Sequence, residues 1–326
     1  MAFIIRPSRL RLPLCALALL SASLAGAQPY PTKPVRLLVP FAAGGAADTI
    51  SRTVAERLGA SLGQQFVPDN RSGAAGTIAL ELLAKAAPDG YTLGTAGDTI
   101  SLLPFTYKGL TWDPRTSFTP ISLMSTQPLV LVVHASVPAA TFKEFVAYAK
   151  SKPGQLVFGS SGHGHSQHLT GEMIKKAAGF DMTHVPYKGG AQAIIDLVGG
   201  QIPVAVLGAS TVIPHHRAGK VRILGVTGRK RSTVLPEVPT LAQSGVAGID
   251  VLQTLGLFGP PKLPSALVVR LNAEVAKALA APATREKLES AGFEPSPSTP
   301  QELEALVRAD YERWARVTKE LNLKFE

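Results

Sequence analysis

Residues 35–53 read VRLLVPFAAGGAADTISRT. Val35 to Val39 is leucine- and valine-rich with one basic interruption, the pattern of a short buried strand. Pro40 closes it, because proline cannot donate to a sheet ladder. The stretch from Phe41 through Ala42, Ala43, Gly44 and Gly45 to Ala47 then carries almost no side chain after the phenyl ring, so backbone N–H groups can approach a ligand closely. Asp48 or Thr49 is placed to cap a helix whose apolar positions Ile50, Val54, Ala55 and Leu58 share one face. Strand, bare loop and helix start together make an anion-holding unit. First-turn N–H groups lack intrahelical partners, and the positive end of the helix dipole attracts carboxylate, sulfate or phosphate. The loop has neither the GxxxxGK of a P-loop nor the GxGxxG of a dinucleotide site.

Upstream of this unit the first 27 residues are a separate object. Arg6, Arg9 and Arg11 give a basic start, Leu12 to Leu24 an apolar stretch too short to span a membrane, and Ala25-Gly26-Ala27 a small-residue cleavage site. This is the pattern of a secretory signal peptide cut after Ala27, without the twin arginine of folded export. Cys15, the chain's one cysteine, lies inside the leader, so the mature chain has neither disulfides nor thiol chemistry. No later stretch offers about 18 consecutive apolar residues, and the mature chain is expected to be soluble. Losing the leader removes three arginines and no acid, which takes the formal charge from +10 to +7. A positive balance suits anionic partners. The charge is dispersed, however, with Arg229-Lys230-Arg231 the one dense cluster, and aromatics are 6% of the chain, which argues against nucleic acid.

Downstream, strand-like and helix-like segments alternate. Short strands are expected at Tyr91–Thr95, Leu129–His134, Leu156–Gly159, Met182–Val185, Val204–Leu207 and Ile223–Thr227, with helices between them at Thr49–Leu62, Thr77–Ala86, Thr141–Ser151, Gln167–Ala178, Ala191–Gly199 and Thr211–Ala218. Such alternation predicts an α/β fold with mainly parallel sheets. From Pro264 onward the pattern is helical only, at 264–280, 283–291 and 300–321, a tail expected to wrap back over the first domain. Apolar segments Ile121–His134 and Ile249–Pro260 are the candidates for strands crossing between two lobes. That places residues 28–125 plus 251–326 in one lobe and 126–250 in the other, with a ligand cleft at the carboxyl ends of the strands.

The second lobe repeats the design: Val157-Phe158 runs into GSSGHGHS at 159–166, and a helix follows. Two further turns of the same kind are RSGAAGT at 71–77 and HVPYKGGA at 184–191. With PFAAGGAAD at 40–48, PDGYTL at 88–93, SFTPIS at 117–122 and LPEVPTLAQSG at 235–245, these motifs in this order resemble the Bug family of periplasmic solute receptors of tripartite tricarboxylate transporters. The resemblance covers essentially the whole mature chain. It implies a two-lobed periplasmic binding protein of the type II kind that closes on a small carboxylate and delivers it to membrane permease subunits, as a monomer, without cofactor, metal or catalysis. It also implies which residues form the jaws: Phe41, Ala42, Ala43, Gly44, Gly45 and Asp48 on one side, and Ser160, Ser161, Gly162, Gly164, His165 and Ser166 on the other. Ala75 and Gly76 of the GAAGT turn, and Tyr187 and Lys188 of the VPYKG turn, would frame the cleft.

Two departures bear on ligand choice. Family members often carry an acid in the segment that reads Val206-Leu207-Gly208-Ala209 here, which leaves Leu207 to line that part of the site. Conversely, Asp98 stands where small or amide residues are more usual. Facing the cleft, it would repel a second carboxylate and favour an ammonium, amide or hydroxyl; otherwise it caps the following turn. The H-x-H-x-x-H set of His163, His165 and His168 has too mixed a geometry, and no acid nearby, for a metal site. A hydrolase would use Ser160, Ser161 or Ser166, none of which sits in G-x-S-x-G, with His184 as a spatial partner. A receptor that presents its ligand to a sensor would use the same closed lobes.

Overall fold

The computed structural model describes residues 30–323 and 325; the leader read at 1–27 lies outside them. Among the described residues no helix is long and apolar enough to cross a membrane. The chain builds two α/β lobes whose strands belong to one continuous sheet. In the first lobe β1 (Val35–Val39) runs parallel to β2 (Phe66–Asn70) and β3 (Thr92–Gly97). β9 (Leu252–Gly259) and then β4 (Thr119–His134) continue this half antiparallel, giving the order β2-β1-β3-β9-β4. The second half repeats that plan: β6 (Thr183–Pro186), β5 (Val157–Ser160) and β7 (Val204–Gly208) are parallel, β4 follows antiparallel, and β8 (Val221–Val226) joins on its other edge. β4 belongs to both halves. Residues 119–128 pair with β9 and residues 129–134 with β7 and β8, so the chain passes from one half to the other between Pro128 and Leu129.

Strand periodicity puts a core on each face of each half. Along β4, Leu129, Leu131 and Val133 enter one core while Val130 and Val132 enter the other. Helices cover both faces: α1 (Ala46–Leu62), α2 (Thr77–Ala84) and α3 (Thr99–Thr106) in the first lobe, then α4 (Phe142–Lys150), α5 (Ser166–Ala178), α6 (Gly190–Val198) and α7 (Ala209–Arg217) in the second, and finally α8 (Ser265–Ala280), α9 (Pro282–Ser290) and α10 (Pro300–Leu321). A two-residue strand, β10 (Glu294–Pro295), pairs with β4.

Three features differ from the sequence expectation. β2 forms although it contains Pro68, Asp69 and Asn70; it is an edge strand, where a missing N–H faces no partner. α3 forms despite Pro104, because its apolar residues enter two cores: Ile100 and Leu103 join one cluster and Leu102 another. α10 does not lie on the first lobe alone. Leu303 and Val307 pack in the first-lobe core, while Trp314 and Val317 pack in the second-lobe core. A helix of 22 residues is about 33 Å long at 1.5 Å per residue, enough to bridge both lobes.

Candidate ligand-binding cleft

Between the lobes lies a cleft of about 1170 Å³, onto which both bare loops open. Phe41, Ala42, Ala43, Gly44 and Gly45 line it on one side and Ser161, Gly162, His165 and Ser166 on the other; Ala75, Gly76, Asp98, Tyr187 and Lys188 line it too. Asp48, Ser160, Gly164 and Leu207 do not line it, each for a local reason.

Asp48 is buried behind the first loop and holds it. Its Oδ2 accepts from the Gly44 N–H at 2.8 Å and from Arg52 Nε at 2.9 Å, and its Oδ1 accepts from Asn70 Nδ2 at 2.9 Å. Burial opposes ionisation, but the bonds from Arg52, Gly44 and Asn70 outweigh it and hold the carboxyl below its ordinary value. The Gly44 amide therefore serves the loop, and the first-turn N–H groups of Ala46 and Ala47, in the bare stretch of the sequence reading but not among its jaw residues, are open to a ligand. Gly44 has φ +82°, which favours glycine, whereas Gly45 is extended at φ −81° and ψ 174°.

Ser160 is fully buried; its hydroxyl donates to the Gly162 carbonyl and lies 2.7 Å from His184 Nε2. The serine–histidine pair of the hydrolase reading thus exists, behind the cleft wall instead of in it. Gly164 turns away because its N–H donates to His168 Nδ1 at 3.1 Å and its Cα faces Thr106. Leu207 lies on a strand buried on both faces: Ala205 and Leu207 enter one core while Val204 and Val206 enter the other, so no side chain of it reaches the cleft. Tyr187 presents its ring, since its hydroxyl donates to Asp196 at 2.8 Å, and burial followed by that carboxylate pushes the phenol up to about 12.

The histidines regroup. His163 and His168 gather with His184, not His165, and their nitrogens lie within 4.8 Å of one another. Glu172 stands 4.0 Å from His168, an acid that the sequence expectation lacked. The His168 and His184 rings stack 3.8 Å apart at 15°, so their in-plane lone pairs run parallel instead of converging on an ion. Burial first, then the neighbouring histidines, holds His168 down to about 3; burial, then His163 and Lys175, holds His184 down to about 4.

What the motifs did not contain is the floor. Gln127 on β4 and Gln253 on β9 meet where the lobes join, Nε2 to Oε1 at 3.1 Å, and Gln127 Oε1 accepts the Ser210 N–H of α7 at 2.9 Å. A Cβ on Gly208 would lie 2.5 Å from Gln253 Oε1, so any side chain there would displace the pair. No local signal marks either glutamine.

The helix starts show one design. α1, α2, α3, α5, α6 and α7 all begin at the cleft, and none is capped by the side chain of its own N-cap residue, although Gln127 takes the Ser210 N–H of α7. Of the helices that begin elsewhere, α4 and α10 are capped by Thr141 and Thr299, while α8 and α9 open at Pro264 and Pro282 and are likewise without a side-chain cap. Glycine stands at the N-cap of α1, α2, α6 and α7, where a missing side-chain cap costs only a few tenths of a kcal/mol. Here it leaves N–H donors aimed at shared space, where Lys188 is the one lysine or arginine among the described lining residues.

Two α/β lobes joined by crossing strands, with a ligand-sized cleft at the strand ends, define a periplasmic binding protein. The chain belongs to the TctC family, the tripartite tricarboxylate transporter family receptors, whose pattern it matches over residues 50–323. It is similar to BugT of Bordetella pertussis, at 31% identity over 306 residues that cover 92% of this chain and 93% of BugT. Among solved structures it resembles R. palustris Rpa4515 with adipate, at 35% identity and TM-score 0.84, covering 91% of this chain and 100% of that one. MatC from Rhodopseudomonas palustris with bound malate is 31% identical with TM-score 0.79, covering 88% of this chain and 99% of MatC.

Proposed function

We propose that this protein captures a small carboxylate between its lobes in the periplasm and hands it to the membrane subunits of a tripartite tricarboxylate-type transporter, as a monomer and without catalysis. Residues 28–125 with 251–326 form one jaw, 126–250 the other, and the leader is removed after Ala27. The observation that carries this reading is the convergence of six uncapped helix starts on a cleft with one lysine: recognition by backbone N–H groups suits a compact anion. The adipate and malate held by relatives support the same chemistry. A ligand touching the starts of both α1 and α5 binds the closed arrangement better than the open one, and that difference drives closure.

The test is mass spectrometry of ligand released from freshly purified protein, then thermal shift over adipate, malate, benzoate and alanine. Saturation at about a hundred times Kd adds about 2.7 kcal/mol of stability, readily seen as a melting shift. No shift with any carboxylate would refute the reading. Deleting the gene should abolish uptake; retained uptake with lost induction would move the protein to sensing.

A further inference from the structure

Asp98 ends β3 at the wall of the cleft and is 6% exposed. By position it is the N-cap of α3, yet its side chain makes no capping bond and its buried Oδ2 has no partner. Every other cleft wall is backbone, amide, hydroxyl or apolar, apart from His165 and Lys188. The groups facing Asp98 come from three elements. α5 contributes the Ser166 hydroxyl, from the first residue of the opposing helix start. α10 contributes Asp310, which shares with Asp98 an internal cavity of about 10 Å³, room for about one water. β9 lines that cavity with Thr254, Gly256 and Phe258, none of them titratable. Behind Asp310 stand Arg313, 2.9 Å away, and Asp250, whose charge it feels. Across the cleft, burial and then His163 hold His165 below its ordinary value, and Lys188 is exposed on the turn after β6.

Burial pushes Asp98 up to about 7; the Ser166 hydroxyl pulls the other way and Asp310 reinforces the rise. Ser166 and the Asp98 and Thr99 backbone N–H groups favour the carboxylate, but burial outweighs them and Oδ2 stays without a partner, so ionisation is expensive there, whereas the neutral acid is both donor and acceptor. As a fixed charge Asp98 would repel a second carboxylate; as an acid it attracts one. We propose that Asp98 receives the second carboxylate of a dicarboxylate ligand by donating its own proton in a hydrogen bond, while the first carboxylate rests on the uncapped helix starts, so that capture takes up one proton from solution. This rests on the carboxylate-receptor reading and adds to it a proton linkage at Asp98.

The sign follows from the free protein. Above neutral pH its Asp98 is mostly ionised and must be protonated for the ligand to bind, so affinity falls as pH rises. With a free value of about 7, binding weakens about fivefold between pH ~7 and ~8 and approaches tenfold per unit beyond. The experiment is isothermal titration calorimetry of the full chain with adipate, malate, benzoate and alanine, in HEPES and in Tris, at both pH values. A dicarboxylate should bind tightest, with a buffer-dependent enthalpy that reports uptake of close to one proton at the higher pH. The variant Asp98→Asn should lose both the proton uptake and the pH slope, whatever its affinity. Tight dicarboxylate binding without proton uptake, a benzoate or alanine preference, or a slope that survives in Asp98→Asn would each overturn the proposal and leave the receptor reading standing. No binding by any of the four would remove both. Should the variant fail to fold, the proton count of the unmodified protein still decides.

Discussion

Replacing Asp48 by Asn tests whether the first loop is held from behind. All three partners of the Asp48 carboxylate are donors, at 2.8 to 2.9 Å. Asn70 cannot flip to help, because its Nδ2 also donates to the Phe41 carbonyl and its Oδ1 accepts from Arg52. Asparagine therefore turns its own NH₂ toward a donor and forfeits at least one bond to a charged group, about 1.5–3 kcal/mol. The Arg52 ion pair adds less than about 1 kcal/mol, since its guanidinium is 50% exposed while Asp48 is 4% exposed. The expected loss is about 2–3 kcal/mol at neutral pH, read by urea unfolding. Because the folded carboxyl titrates below the ordinary aspartate value, its stabilisation is complete above that value and is lost as pH falls through the folded one. The gap between the two proteins should narrow on acidification. A penalty under about 0.5 kcal/mol, or one that does not narrow, would refute the brace.

Ala46→Pro removes one N–H at the first position of α1, where proline is tolerated and the extended Gly45 suits a following proline. Far-UV CD should be unchanged while carboxylate binding, by calorimetry, weakens roughly tenfold to a hundredfold. Gly44→Val should lose about 1–2 kcal/mol in urea melts for its positive φ, whereas Gly45→Ala should be near neutral in stability. Trp314→Ala removes a fully buried side chain from the second-lobe end of α10 and should lose about 3–5 kcal/mol in the same melts.

The α/β plan was legible because each strand is a short apolar run and each helix an amphipathic one. β2 was not, since Val67 to Asn70 reads as a turn until the neighbouring β1 supplies its one ladder. The loops that face the ligand were legible as glycine-rich strand ends. Within them, however, Ser160, Gly164 and Leu207 were indistinguishable from their neighbours, because helices packed on both faces of β7 and hydrogen bonds to His184 and His168 decide which atoms face the cleft. Gln127 and Gln253 carry no motif and meet only because β4 and β9 pair.

By itself the sequence determined the order of elements, the bare loops at strand ends and the motifs of the TctC family, all properties of residues close together along the chain. Tertiary structure decided which amides remain open to a ligand, since Asp48 takes the Gly44 N–H and leaves those of Ala46 and Ala47. It also decided the surroundings of Asp98, because α10 folds back to bury that carboxyl beside Asp310, which raises the cost of its charge. Propensity acts between neighbours, whereas desolvation and hydrogen-bond partnership depend on whichever distant segment packs against the group.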